Sequence, residues 1–274
     1  MNVVNDAGRY IPKYIEGYGH TIPYCNKHNE ICVVMEKTDK KFNYVKTENK
    51  ILSSIKEAIE KCNLKDGMTI SFHHHLRDGD YIINMVMKEI SEIGIKDITI
   101  VPSSLQKIHE PLIEHIKNGV VSGIHTSGMR GNLAKEISFN NILKKPVIFQ
   151  SHGGRARSIE LDQTKIDVAF IGASACDKMG NMSGRIGKSA FGSMGYAMVD
   201  AKNADKVVAL TDNLVEYPLR NPSIDQTYVD YVVVVDEIGD VDKIATGSTR
   251  VTQNPKELLM AQYAASIINN SGFM

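Results

Sequence analysis

The chain has 274 residues, of which 42% are hydrophobic and 23% charged, with 32 lysines and arginines against 32 aspartates and glutamates. That balance predicts an ordinary packed core, and it argues against a nucleic-acid wrapper or a basic membrane binder. No stretch approaches the roughly 18 apolar residues of a membrane span, and the absence of tryptophan gives no sign of base-stacking surfaces. The opening MNVVNDAGRYIPKY has no charged-then-apolar signal pattern, so a cytoplasmic protein is expected.

Residues 1–46 carry Pro12, Gly17, Gly19, Pro23 and several tyrosines, and read as an extended arm. Cys25, His28 and Cys32 offer three metal ligands without an evident fourth, and a surface loop is the simpler reading. With Cys62 and Cys176 the cysteines are few and irregularly spaced, which speaks against a disulfide framework. A helix is predicted from Thr47 to Cys62, because Ile51, Leu52, Ile55, Ala58, Ile59 and Cys62 recur at helical spacing.

From there strands and helices alternate. Strands are predicted at 68–72, 97–101, 120–124, 146–150, 167–172, 206–210 and 228–236. Helices are predicted at 81–93, 105–118 and 156–161, with a helix or loop at 133–142, and a last helix begins near Pro255, suited to a first helical turn, and reaches about Asn270. Apolar strands alternating with helices imply an open, mostly parallel α/β sheet covered by helices. The four valines at 232–235 suggest a strand buried on both faces. Residues 47–274 are expected to form one domain.

In such a sheet, ligands bind beyond the carboxyl ends of the strands. The first strong strand runs into His73-His74-His75-Leu76-Arg77-Asp78-Gly79. Extended residues alternate sides, so at most two of these histidines share a face, and a three-histidine metal site from this run is geometrically poor. One or two histidine donors, with free N–H groups near Gly79, suit an anion better. Ser151-His152-Gly153-Gly154-Arg155-Ala156-Arg157 joins two glycines to two guanidiniums, a combination suited to carboxylate or phosphate. Asp177 to Gly184, including Asn181, is a second glycine-rich corner. Gly187-Lys188-Ser189 is not a P-loop, since Met182 stands where a glycine is required. No G-x-G-x-x-G follows the first strand, and no G-x-S-x-G or H-E-x-x-H occurs.

Taken together, His73–Asp80, His125-Thr126-Ser127-Gly128-Met129-Arg130-Gly131, Ser151–Arg157 and Asp177-Lys178-Met179-Gly180-Asn181 resemble the citrate lyase alpha-subunit family. Gly184 to Ser189 and Gly195 to Ala201 fit the same pattern. The Asp-x-x-Gly-Asn element is similar to class I coenzyme A transferases more broadly. The resemblance runs from about Gly17 to the end. It implies a class I coenzyme A transferase-like (NagB/RpiA-like) domain that exchanges acetate for citrate on an acyl carrier protein thioester. It also implies a carrier (gamma) subunit bearing a phosphoribosyl dephospho-coenzyme A group, a lyase (beta) subunit, and an oligomeric complex. No cofactor or metal is expected in the chain itself. The site residues it suggests are His73, His74, Arg77, Gly79, Arg130, Ser151, His152, Gly153, Gly154, Arg155, Asp177 and Asn181, with Arg157 as a further cation. Loop amides at His73–Arg77 or Gly153–Gly154 would stabilise the oxyanion.

Members of that family are about twice as long and carry a nucleophilic glutamate in a second half. The chain is therefore expected to be an N-terminal half, inactive in isolation, and Glu160 reads as a surface helix residue. Two other readings stay open: a non-catalytic half that presents a coenzyme A-like ligand, and a sugar-phosphate-binding isomerase or sensor.

Overall fold

The computed structural model describes residues 2–23, 49–244 and 252–272, in two compact units, Met1–Ile244 and Ala245–Met274. Cys25, His28 and Cys32 lie outside the described residues. The first unit is built on eight strands: β1 (Ile51–Leu52), β2 (Thr69–Phe72), β3 (Ile98–Pro102), β4 (Val121–Thr126), β5 (Ile148–Phe149), β6 (Val168–Ala173), β7 (Lys206–Thr211) and β8 (Tyr231–Val234). Their order is β1-β8-β7-β6-β2-β3-β4-β5, and every pairing is parallel. The chain therefore steps outward from β2 to β5, returns to the other side of β2 as β6, and steps outward again. The reversal opens a crevice at the carboxyl ends of β2 and β6.

Helices flank the sheet: α1 (Ile55–Lys61), α2 (Ile82–Ile93), α3 (Leu112–Lys117), α4 (Gly131–Asn140), α5 (His152–Glu160), α6 (Gly195–Asn203) and the short α7 (Val241–Ile244). In α2, Ile82, Ile83, Val86, Met87 and Ile90 are buried. Each such side chain stabilises by about 1.5–3 kcal/mol, and Gly94 ends the helix at φ 89°, where a Cβ would be strained. The core continues through Ile70, Phe72, Ile98, Ile100, Ile124, Phe170, Val207 and Val232.

Several boundaries differ from the sequence expectation. Ile51 and Leu52 do not open α1. They pair with Val232 and Val233 as an edge strand, and Ser54 caps the helix by accepting the Glu57 N–H. The stretch expected as one helix from Leu105 divides into a 3₁₀ turn (Lys107–His109) and α3, because Pro111 has no N–H to continue the ladder. The valine run does not need two buried faces, since Val234 is 42% exposed. The arm contains two short antiparallel pairs, Asn2–Val4 with Tyr10–Pro12 and Tyr14–Ile15 with Gly19–His20. Tyr18 donates its hydroxyl to the Pro146 carbonyl at 2.6 Å. In the second unit, α8 (Pro255–Asn270) starts with Pro255 after the cap residue Asn254, as expected.

Candidate functional site

Five parallel strands deliver the polar residues of the crevice. β2 ends in His73–His75, β3 in Ser103, β4 in Ser127, β5 in the start of α5, and β6 in Ser174. His73 is buried, and its Nε2 accepts the Gly172 N–H at 3.1 Å, which ties the histidine loop to β6 across the reversal. Its proton is therefore on Nδ1, which has no partner among the described residues. The His73 and His75 rings lie 4.3 Å apart, and His75 stacks on Phe191 at 5.3 Å. The alternation expected from an extended segment thus separates two neighbouring imidazoles from His74.

His74 takes the other side. Its backbone N–H donates to Ser103 Oγ at 2.9 Å, and its Nδ1 lies 2.6 Å from the same oxygen. Its ring is 5.7 Å from that of His152 at 23°, and Tyr196 packs against both rings. His152 Nδ1 lies 2.8 Å from Ser127 Oγ, whose hydroxyl donates to the Ser103 carbonyl. Two strand-end serines therefore fix two near-parallel imidazoles.

The field around this cluster is positive. Burial, followed by neighbouring His152 and the Arg77, Arg155 and Arg130 guanidiniums, brings the His74 pKa down to about 4. Burial, then His74, Arg155 and Arg77, does the same for His75, also to about 4. Burial and the other two histidines push His73 down as well. At neutral pH these three rings are uncharged hydrogen-bonding groups beneath exposed cations. Such a site favours an anion with hydroxyl or carbonyl oxygens. Arg77 and Arg130 are exposed at its rim, and Arg77 holds a φ of 51°, the left-handed region that side chains other than glycine seldom adopt.

Other residues proposed from sequence have different tasks. Arg155 is fully buried and does not face the crevice as a free guanidinium. Its Nη atoms clasp both Asp200 carboxylate oxygens at 2.8 and 2.7 Å, and Nη2 also donates to the Val101 and Phe72 carbonyls. It clamps α5 and α6 beneath the ends of β2 and β3. Ser151 is the cap of α5 and accepts the Gly154 N–H. Gly153 and Gly154 are therefore in a first helical turn rather than a loop. The amides of His74 and Gly154 are engaged, which removes both from the proposed oxyanion donors. Gly79 is dictated by packing, because a Cβ there would meet the Asp240 carbonyl at 2.5 Å.

Asp177 and Asn181 are buried in a separate turn. Asp177 accepts the N–H groups of Met179, Asn181 and Leu219 and the Asn181 side-chain amide. Asn181 accepts from Gln226 N–H in turn. Arg157 and Glu160 are exposed on α5. Ser103, Ser127, Tyr196 and Phe191 do not stand out individually in the sequence. Ser103 and Ser127 follow strands directly, so the strand-end rule could have found them. Tyr196 and Phe191 are brought in only by tertiary packing.

A family model described as citrate lyase, alpha subunit, matches residues 48–274. The chain is 51% identical over 226 residues to the citrate lyase alpha chain of Haemophilus influenzae, covering 82% of this chain and 45% of that one. It also resembles the crystal structure of a citrate lyase alpha subunit from Streptococcus mutans in complex with citrate. There the TM-score is 0.83 and the identity 54%, covering 98% of this chain and 52% of that one. An acyl-CoA transferase from Escherichia coli O157:H7 shares the fold at a TM-score of 0.54 and 11% identity, over 75% of this chain and 52% of that one. The chain spans about half the length of the curated relatives it matches.

Proposed function

Because the chain belongs to the citrate lyase alpha-subunit family, we propose that it supplies the N-terminal half of a citrate:acyl-carrier transferase. In the proposed reaction an acetyl thioester on a carrier protein loses acetate and gains citrate. The acetyl C–S bond breaks, a citryl C–S bond forms, and the displaced acetyl group leaves as acetate with an oxygen taken from citrate. The carrier is the gamma subunit with its phosphoribosyl dephospho-coenzyme A arm. A beta lyase subunit then cleaves the citryl group to oxaloacetate and restores the acetyl thioester. The glutamate that carries the acyl group between partners belongs to a second half, consistent with the length of the relatives. The sheet and flanking helices of the first unit act as the transferase domain in a cytoplasmic complex.

The observation that carries this reading is the neutral imidazole cluster rimmed by Arg77 and Arg130 at the reversal of an all-parallel sheet. A tricarboxylate needs several cations, and exposed guanidiniums give charge-assisted hydrogen bonds to it. The test is thioester exchange with labelled citrate and acetyl-carrier protein. The chain alone should give no exchange, and the chain mixed with a separately made second half should restore it. Arg130→Ala in the mixture should raise KM for citrate by about tenfold or more. Exchange by the chain alone at the mixture's rate would overturn the divided assignment. An unchanged KM in both Arg77→Ala and Arg130→Ala would overturn the assignment of the crevice to citrate.

A further inference from the structure

We propose that His74 and His152 form a hydroxyl-reading pair, a hydrogen-bond donor beside an acceptor, that selects a 2-hydroxycarboxylate over its deoxy analogue. The inference rests on the assignment of the crevice to citrate and specifies how the site recognises the hydroxyl on citrate's central carbon.

The serines decide the tautomers. A serine hydroxyl has one hydrogen and can accept in addition. Ser127 gives its hydrogen to the Ser103 carbonyl, which can only accept. Toward His152 it is therefore an acceptor, so His152 Nδ1 carries the proton. With the ring's proton on Nδ1, His152 Nε2 is left as a bare acceptor. Ser103 has the opposite role. Its oxygen accepts the His74 backbone N–H, and its hydrogen is available to His74 Nδ1 at 2.6 Å. His74 then holds its proton on Nε2, as a donor. Charge supports this state, since the pKa of His74 lies near 4 and the ring stays neutral at pH 7.

Two near-parallel rings 5.7 Å apart thus carry complementary distal nitrogens. A carboxylate can only accept, which suits His74 Nε2–H. An alcohol can donate, which suits His152 Nε2. Citrate has both groups on one carbon. Propane-1,2,3-tricarboxylate (tricarballylate) has the same three carboxylates without the hydroxyl, and on binding it would leave the His152 acceptor desolvated and unpaired. Sites built to bond a substrate hydroxyl reject the analogue that lacks it far more strongly than an apolar pocket rejects a missing methylene.

The experiment is isothermal titration calorimetry of the purified chain with citrate and with tricarballylate at pH 7.5. Citrate is expected to bind at least about tenfold more tightly. His152→Phe removes the acceptor, and Ser127→Ala removes the group that fixes its tautomer while leaving the ring. Both should bring the ratio below about threefold, with citrate losing more than tricarballylate. A merely structural role for either residue would weaken the two ligands alike and leave the ratio unchanged, and that result overturns the pair. Equal binding of both ligands to the unaltered chain also overturns it, while the citrate assignment stands. Binding of neither ligand overturns the pair and the citrate assignment together.

Discussion

His152 and Arg155 are three residues apart on α5 and have opposite surroundings. His152 is exposed beside the crevice, while Arg155 is sealed with Asp200, each side chain about 1% accessible. Residue chemistry alone assigns both the same task, because a guanidinium after a glycine pair looks ready for a carboxylate. The carboxylate it meets is the protein's own, contributed by α6, and only the tertiary fold reveals that. Removing one partner of a buried pair leaves an uncompensated charge. Arg155→Met is therefore expected to destabilise the protein by about 3–5 kcal/mol in urea unfolding. The histidines make a second prediction at this scale. His74 and His75 are pushed from the usual 6.5 to about 4, so the neutral form is favoured in the fold. Above pH 6.5 both states are neutral and the stability is fully present. As the pH falls from 6.5 toward 4, the unfolded chain binds protons that the folded chain refuses, and stability drops. Urea midpoints measured at pH 7.0, 6.0 and 5.0 should fall in that order, and His75→Phe should flatten the slope.

At the scale of elements, apolar runs and caps carried most of the information. The helix expected at 81–93 is found at Ile82–Ile93, and the strand expected at 167–172 is found at Val168–Ala173. Burial pattern and helical spacing agree there, so local and global preferences coincide. Where they part, the reason is local. Ser151 turns a glycine pair from a loop into the first turn of α5, and Ser151→Ala should cost about 1 kcal/mol by thermal melt. Ile51 and Leu52 share helical spacing with Ile55 and Ile59, but an open sheet edge beside Val232 and Val233 claims them. Gly79 reads from sequence as a source of free amides, yet its amide donates to the Leu76 carbonyl and its Cα packs against Asp240. Gly79→Ala must displace that backbone, so a loss of about 1–3 kcal/mol is expected in the same melts.

At the scale of the whole molecule, the sheet order decides which loops meet. The order of strands could not be read from the chain, because alternating elements permit more than one arrangement of a parallel sheet. What was legible was that the loops after the strands would carry the chemistry, and the loops after β2, β3 and β4, with the start of α5, do assemble around His74. If the crevice holds citrate, ligand binding must stabilise the folded chain. Citrate at a hundred times its Kd should add about 2.7 kcal/mol and raise Tm by a few degrees.

With all eight strands parallel, the opposite rim of the sheet contains the returns from helix to strand, such as the exposed corner at Asn118 and the neighbouring Gly119 that leads into β4. That rim is a place to hold the molecule. A tether inserted at Asn118 would hold the protein on a solid support by the rim opposite the crevice.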